Sequence, residues 1–452
     1  MGESRHTIKK LCNDLEDRYV HFLRSEAGRI DSLSGSGTVA TVTDGKMPMR
    51  AKVASSVSRT AAAISRAAGR GDGSVIGGWI GLKIDPDLLK NLASGRAIAL
   101  VSGTNGKTTT TRLTAAALGV LGPVATNSFG ANMPTGHTSA LAKAGATPFA
   151  VLEVDEHYLA RVIDETTPRA VALLNLSRDQ LDRAKEVAMM AQMWRTALVD
   201  HPDIRVIANA DDPMVVWAAT QSPNVTWFSA GQRWHDDSWV CPECGSPIER
   251  REGEWWCTGC PLRRPRAQWT VEDDGVVDPK GDWHLVKLQL PGKVNLGNSA
   301  AALATAAEFG VRPLEAVPRL ATVSSVAGRY AQVDRDGRNI RLLLAKNPAS
   351  WLEAFDMADN APTLLSINAR DPDGFDTSWL YDVDFSPLRG RAVLITGDRA
   401  YDLAVRLEVN DVPFRHVRTF DEAIQATPPG RLEVIANYTA FQDIRAELDR
   451  VN

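Results

Sequence analysis

The 452-residue sequence contains no apolar run approaching the roughly 20 residues that span a bilayer, so no membrane-spanning helix is expected. Its first residues, Met1 to Arg24, scatter charges and lack the apolar core of a secretory signal, which points to work in the cytoplasm. Surplus charge is missing too. Lys and Arg number 51 against 55 Asp and Glu, and the net charge of -4 neither calls for nor excludes a polyanionic partner. Cysteine is scarce: of five, Cys12 stands alone and four group at Cys241, Cys244, Cys257 and Cys260. In a reducing compartment that grouping favours a metal site over disulfides. No internal repeat is present.

A hydrophobic share of 44% and a charged share of 23% are ordinary for a globular protein, and the length suits two or three domains. Residues 1–50 stand apart. A helix is conceivable over Ile8 to Ile30, but Ser32 to Gly45 is Ser-, Gly- and Thr-rich without a period and reads as a flexible extension. An Ala-rich helical pattern from Ala51 to Gly69 leads into Gly69, Gly71 and Gly73. Short apolar runs follow at Ala97 to Val101, Phe149 to Val154, Ala170 to Leu176 and Arg205 to Ala208, with helical segments such as Thr109 to Leu121 and Ala184 to Val199 between them. That alternation predicts a doubly wound α/β domain over 51–330 with a buried parallel sheet. The cysteine segment, 239–269, interrupts it as an insertion, and Asn298 to Phe309 reads as a helix. A second, smaller α/β domain is expected over 331–452, from the runs Ile340 to Leu344, Thr363 to Ile367, Ala392 to Thr396 and Leu432 to Ala436.

The run Ala97 to Val101 enters Ser102-Gly103-Thr104-Asn105-Gly106-Lys107-Thr108-Thr109 and then a helix. Glycines let backbone N–H groups turn toward phosphate oxygens, and a helix N-terminus adds partial positive charge. Lys107 is placed to reach the terminal phosphates of a nucleotide and Thr108 to hold Mg2+. The strict pattern has glycine five residues before Gly106, where this chain has Val101. The cysteines, spaced Cys-x2-Cys-x12-Cys-x2-Cys, predict a structural zinc ribbon with no open position for water, against a redox pair or an iron–sulfur cluster. Trp239, Trp255, Trp256 and Trp269 are expected to cover its small core. Arg250, Arg251, Arg263, Arg264 and Arg266 read as a solvated basic face, and no nucleic-acid partner is expected.

The shortened loop Gly-Thr-Asn-Gly-Lys-Thr resembles that of the Mur ligase and folylpolyglutamate synthetase superfamily. The likeness continues through Glu153 in Val-Leu-Glu-Val-Asp-Glu-His, Asn175 to Arg183, Asn209 to Pro213, Asn295-Leu296-Gly297-Asn298 and Gly328-Arg329-Tyr330. It implies ATP and Mg2+, with Gly103, Thr104, Asn105, Gly106, Lys107, Thr108, Thr109, Asn209, Asn295, Asn298 and Arg329 on the nucleotide. Thr108 and Glu153 would hold Mg2+, with Asp155 and Glu156 near enough to assist. Gln180 stands where many Mur ligases have a metal-associated histidine, and Val294 where histidine is usual before the first adenine-contacting Asn.

Only about 50 patterned residues precede the loop, too few for the nucleotide-sugar domain of ordinary Mur ligases. The chain is closer to the MurT-type subunits of lipid II isoglutaminyl synthase. Gly130-Ala131-Asn132-Met133, Arg178 to Arg183, Leu344 to Pro348, Pro372 to Trp379 and Ala436 to Ala440 are similar to that branch. The resemblance implies a Mur ligase-like central P-loop ATPase domain with the zinc ribbon inserted and a Rossmann-like C-terminal domain. It also implies amidation of the D-glutamate α-carboxylate of lipid II, at the inner membrane face, through an acyl phosphate. Ammonia would come from a GatD-type class I glutamine amidotransferase in a heterodimer, since no cysteine here sits in a nucleophile elbow. An aspartate of the C-terminal domain would complete that partner's catalytic Cys-His pair: Asp373 matches the position, with Asp371 and Asp376 beside it. Two other readings stand next to this one. They are a Mur-like ligase that joins an amino acid to a carboxylate without a glutaminase, and a nucleotide-binding scaffold protein.

Overall fold

The computed structural model describes residues 47–68, 73–127, 130–178, 187–323, 330–358 and 360–451. Cys12 and the rest of 1–46, Gly69 and Gly71, Asp179 to Arg183 with Gln180, and Gly328 with Arg329 lie outside the described residues. No described helix is long and apolar enough to cross a membrane.

Among the described residues, three helices precede the first strand: α1 (Met49–Ala67), α2 (Ser74–Ile84) and α3 (Leu88–Ala93). Then β1 (Ala97–Ser102), β2 (Val124–Thr126), β3 (Phe149–Glu153), β4 (Ala170–Leu173), β5 (Arg205–Asn209) and β6 (Val225–Phe228) form a six-stranded sheet in the order β2-β3-β1-β4-β5-β6. Every pair in it is parallel. Apolar residues on both pleats explain the buried runs: Ile98 and Leu100 of β1 join one core layer, Ala99 and Val101 the other. Because β3 and β4 flank β1 on opposite sides, the chain reverses its winding at the C-terminal end of β1. That crevice is where open α/β sheets bind ligands.

The predicted run Ala170 to Leu176 is shorter as a strand. β4 ends at Leu173, since Asn175 O instead accepts from Thr104 N (2.9 Å) and the chain turns along the phosphate loop. Likewise the helix read from Ala184 begins, among the described residues, at Val187 and runs to Asp200.

The second sheet has six strands in the order β12-β13-β17-β14-β15-β16. These are β12 (Tyr330–Arg335), β13 (Arg338–Leu344), β14 (Thr363–Ser366), β15 (Val393–Thr396), β16 (Phe414–His416) and β17 (Gly430–Ala436). Only β12 pairs antiparallel, as an edge hairpin with β13. The sequence reading found the four central strands and missed both edges, where β12 alternates half-buried with exposed residues. Between the sheets the chain makes a two-stranded hairpin, β7 (Ile248–Arg251) with β8 (Glu254–Cys257), and a three-stranded antiparallel sheet of β9 (Thr270–Glu272), β10 (Gly275–Val277) and β11 (Trp283–Leu285).

Candidate active site

The loop after β1 turns on two glycines with positive φ, Gly103 (145°) and Gly106 (81°). A Cβ at Gly103 would lie 2.9 Å from the Leu174 Cβ, and one at Gly106 would lie 2.6 Å from the Asn298 Oδ1. Neither position admits a side chain without movement. Helix α4 (Lys107–Leu118) starts directly after Gly106, so its N-terminal N–H groups face the crevice. The loop is braced from the β4 side. Asn105 N donates to Asn175 Oδ1 (2.8 Å), Asn175 Nδ2 returns to Asn105 O (3.1 Å), and Thr104 Oγ1 donates to Ser177 O (3.1 Å).

Lys107 is buried. Its ammonium donates to Gly103 O (2.5 Å), Thr104 O (3.2 Å) and Glu156 Oε2 (2.9 Å). A cation folded onto its own loop beside one carboxylate is poised to exchange carbonyls for phosphate oxygens. Thr108 and Thr109 are also buried in the first turn of α4, and Thr110 Oγ1 donates to Asn298 Oδ1 (3.2 Å).

Glu153 ends β3 opposite Val101 of β1. Its backbone is clamped: Asn127 Oδ1 accepts from its N–H (2.8 Å), while Asn127 Nδ2 (2.9 Å) and His137 Nε2 (2.7 Å) donate to its carbonyl. Burial pushes His137 down to about 4, so the ring is neutral with its proton on Nε2. Glu153 is a buried residue, and its carboxylate meets no hydrogen-bond partner or counterion among the described residues. A carboxylate at the end of a strand with no protein partner is available to a cation in the crevice. Thr108 and Glu153 thus fit a Mg2+ site. Its two acidic neighbours diverge. Asp155 caps its own turn through His157 N (3.1 Å), and Glu156 turns inward to Lys107.

The other sequence candidates surround this crevice. Asn298 Nδ2 donates to Asn295 Oδ1 (3.0 Å), which joins the Asn pair to Thr110 beside the loop. Asn209 commits its amide to Leu174 O (2.8 Å) and Gln232 Oε1 (2.9 Å), and its oxygen to Asp211 N (3.0 Å), so it ties the ends of β4 and β5 together. Next to it Asp212 caps the following helix through Met214 N (2.9 Å) and accepts from Leu176 N (2.9 Å); burial raises its pKa. Arg329 lies outside the described residues.

Asn347 was not singled out by sequence as a site residue. It caps the helix α5 (Pro348–Met357) through Ser350 N (3.0 Å), and its Oδ1 lies 3.3 Å from the Asn105 Nδ2. The second sheet therefore reaches the phosphate loop itself. The only local signal was the cap motif Asn-Pro-Ala-Ser, which carries no hint of its distant partner.

The four sulfurs of Cys241, Cys244, Cys257 and Cys260 all lie within 4.8 Å of one another. Cys241 and Cys260 are 3.7 Å apart, and Cys244 and Cys257 3.4 Å. A tetrahedron with Zn–S bonds of about 2.3 Å has S···S edges of about 3.8 Å, so the set fits zinc. Trp255 and Trp269 are buried, but Trp239 and Trp256 are exposed, contrary to the expectation that all four cover the core. Nor are all the arginines solvated. Arg264 pairs with the Asp211 carboxylate (2.9 Å) and Arg250 donates to Ser238 O (2.8 Å). Through Arg264, and through Trp255 Nε1 to Ala210 O (2.9 Å), the cysteine module is fastened to the turn after β5.

In the C-terminal sheet, Asp373 is half-buried. Its Oδ1 accepts from Thr439 N (2.9 Å), its Oδ2 from the Thr439 hydroxyl and from Arg370 N (3.2 Å). Asp371 and Asp376 are exposed, and the bond from Ser378 N (2.8 Å) holds the Asp376 carboxyl below its ordinary range. Phe375, Tyr381, Tyr401 and Tyr438 are exposed around this loop.

Residues 101–306 match the Mur ligase middle domain and residues 344–441 the MurT ligase C-terminal family. The Staphylococcus aureus (strain COL) lipid II isoglutaminyl synthase (glutamine-hydrolyzing) subunit MurT is 30% identical, over 89% of this chain and 98% of that protein. The subunit of the same name from Streptococcus pneumoniae is 29% identical over 83% and 92%. Among solved structures, a pseudomurein peptide ligase type C from Methanothermus fervidus superposes with a TM-score of 0.61 at 17% identity, covering 81% of each chain. MurF from Acinetobacter baumannii gives 0.58 at 16%, covering 82% of this chain and 80% of that one. Those two likenesses establish the fold.

Proposed function

Because this chain belongs to the MurT family of Mur-type, ATP-dependent ligases, we propose that it is the synthetase subunit of a lipid II isoglutaminyl synthase. In this reading it converts the D-glutamate α-carboxylate of the lipid II stem peptide to the amide of D-isoglutamine. The observation that carries the chemistry is that a buried Lys107 on the phosphate loop and Glu153 at the end of β3 both lie at the switch point of the first sheet.

A carboxylate is a poor electrophile, and phosphorylation gives it a leaving group. A carboxylate oxygen attacks the γ-phosphorus of ATP and ADP leaves. Ammonia then attacks the acyl carbon, and phosphate leaves with the C–O bonding pair. Lys107 and the N–H groups of the loop and of α4 hold the phosphates in line and stabilise charge on the transferring group. Mg2+ held by Thr108 and Glu153 would neutralise charge on the β- and γ-phosphates. Asn295 and Asn298 offer amide donors and acceptors to an adenine edge, and Arg329 is the candidate second cation. Asn209 serves this site by fixing the strand ends. Zinc on the four cysteines would be structural, since four thiolates leave no open position.

Ammonia comes, in this reading, from a glutaminase partner of the GatD type, docked where Phe375, Tyr381, Tyr401 and Tyr438 are exposed. Asp373 would complete the partner's catalytic site. Its three hydrogen bonds suit an orienting role, with the side chain preset by Thr439 and Arg370. The test is ATP-dependent amidation of lipid II by the purified chain, with ammonium at high pH or with glutamine, with and without the co-expressed partner. Activity from ammonium alone, and from glutamine only with the partner, is the expected pattern. ATP turnover with some other carboxylate and amine but no amidation would move the chain to the peptide-ligase class.

A further inference from the structure

Helix α2 is built inside out. Its buried positions are Gly77, Gly78 and Gly81, whereas Val75, Ile76 and Trp79 are 58%, 42% and 49% exposed. The cause is close packing. A Cβ on Gly77 would come within 2.7 Å of Ser58 O on α1, and one on Gly78 within 1.7 Å of Thr135 O. The glycine face fits closely against the protein and Leu82 and Ile84 are half-buried against the core, while Val75, Ile76 and Trp79 point outward. Val75, Ile76, Trp79 and Lys83 follow helical spacing and form one outward stripe, with the Lys83 ammonium 5.6 Å from the Trp79 ring centre.

The stripe sits in a basic setting. α1 runs antiparallel to α2, and Arg50 Nε near its start donates to Ile84 O (2.7 Å) at the far end of α2. The two helices carry Arg50, Lys52, Arg59, Arg66 and Lys83, all exposed, and no Asp or Glu. Between Met47 and Ile84 the sequence holds one acid, Asp72, in a chain whose net charge is -4. Met49 and Ile64 of α1 are also exposed, at 74% and 64%.

We propose that the α1–α2 pair is a docking face for an anionic lipid bilayer surface. Val75, Ile76 and Trp79 would enter the boundary between headgroups and acyl chains, where tryptophan is favoured, and the cations would meet lipid phosphates. Charge decides against a second copy of this chain, because a two-fold contact would set two like-charged faces together. The proposal rests on the reading that the substrate is lipid-linked, since an enzyme acting at a bilayer gains from a face that holds it there.

The test is co-sedimentation of the full chain with vesicles free of lipid II, made of phosphatidylcholine alone or mixed with phosphatidylglycerol. Binding to the mixed vesicles that falls with added salt is expected, with little binding to the neutral ones. Lys52→Glu with Arg59→Glu should weaken it by about tenfold or more, and Trp79→Ser should weaken it at every salt concentration. Both variants should keep wild-type amidation of a short-chain, water-soluble lipid II analogue, which shows that they fold. No preference for anionic vesicles, or undiminished binding by these variants, overturns the proposal. So does concentration-dependent dimerisation that Trp79→Ser abolishes without any vesicle binding. Vesicle binding by a chain that fails to amidate lipid II would sink the functional reading and leave this face standing.

Discussion

At the scale of single residues, Lys107, Glu153 and Glu156 are buried at the crevice, and His137 beside them is a buried neutral ring. Lys107→Ala removes the cation that meets phosphate, and ATP-dependent amidation should fall by about a thousandfold or more while thermal unfolding shows a folded chain. Retained amidation would refute the phosphate-loop assignment. His137 makes a different forecast. Its folded pKa of about 4 lies below the ordinary 6.5, so the unfolded chain binds the extra proton as pH falls between those values. Stability contributed by the neutral ring is present above 6.5 and is lost on acidification toward 4, by an amount on the order of 3 kcal/mol. Urea unfolding from neutral to mildly acidic pH should therefore be less pH-dependent for His137→Gln than for the wild type; equal slopes would contradict the buried, neutral ring. The sequence made Lys107 and Glu153 legible because a strand, a glycine turn and a helix start are local signals. It put Glu153 on the metal with Asp155 and Glu156 near enough to assist, but could not say that Glu156 faces the lysine, since the turn after β3 decides that. Asn347 was hidden for the same reason: 242 residues separate it from Asn105.

At the scale of elements, the buried strands were readable because both of their faces are apolar, and the edges were not. Helix α2 departs from the usual pattern, because Val75, Ile76 and Trp79 at helical spacing mark an exposed side and its glycines the buried one. Its packing yields a prediction of its own. Gly78→Ala would drive a methyl into Thr135 O and should destabilise the protein by roughly 1–3 kcal/mol. Ala at exposed Lys83 should cost little, and similar urea midpoints for the two variants would contradict the glycine packing. The cysteine module is an element whose spacing was legible and whose anchorage was not. Trp255 and Arg264 bind it to the turn after β5, so if zinc holds the four cysteines its loss should loosen that turn as well as the module. Cys257→Ser should lower zinc content, read by metal analysis, and increase hydrogen exchange at Ala210 and Asp211. Full zinc content in a folded variant would refute the four-cysteine site.

At the scale of the whole molecule, the crevice of the first sheet is closed by the second. Besides Asn105 with Asn347, Arg178 pairs with Asp382 (3.1 Å) and Arg233 with Asp356 (2.9 Å) across the same junction. A reaction that excludes water from an activated carboxyl group needs such closure. Asp373→Asn in the second sheet should impair glutamine use while sparing reaction with added ammonium; equal loss with both nitrogen sources would mean that the loop is structural. Activation of a carboxylate by phosphorylation leaves one carboxylate oxygen in the phosphate released, and oxygen tracing detects it. Lipid II labelled with 18O in its D-glutamate α-carboxylate is incubated with the chain, ATP and ammonium, and the released phosphate is analysed by mass spectrometry. One labelled oxygen in each phosphate formed is the predicted result. Unlabelled phosphate alongside amide product, or release of AMP and pyrophosphate, would contradict the account.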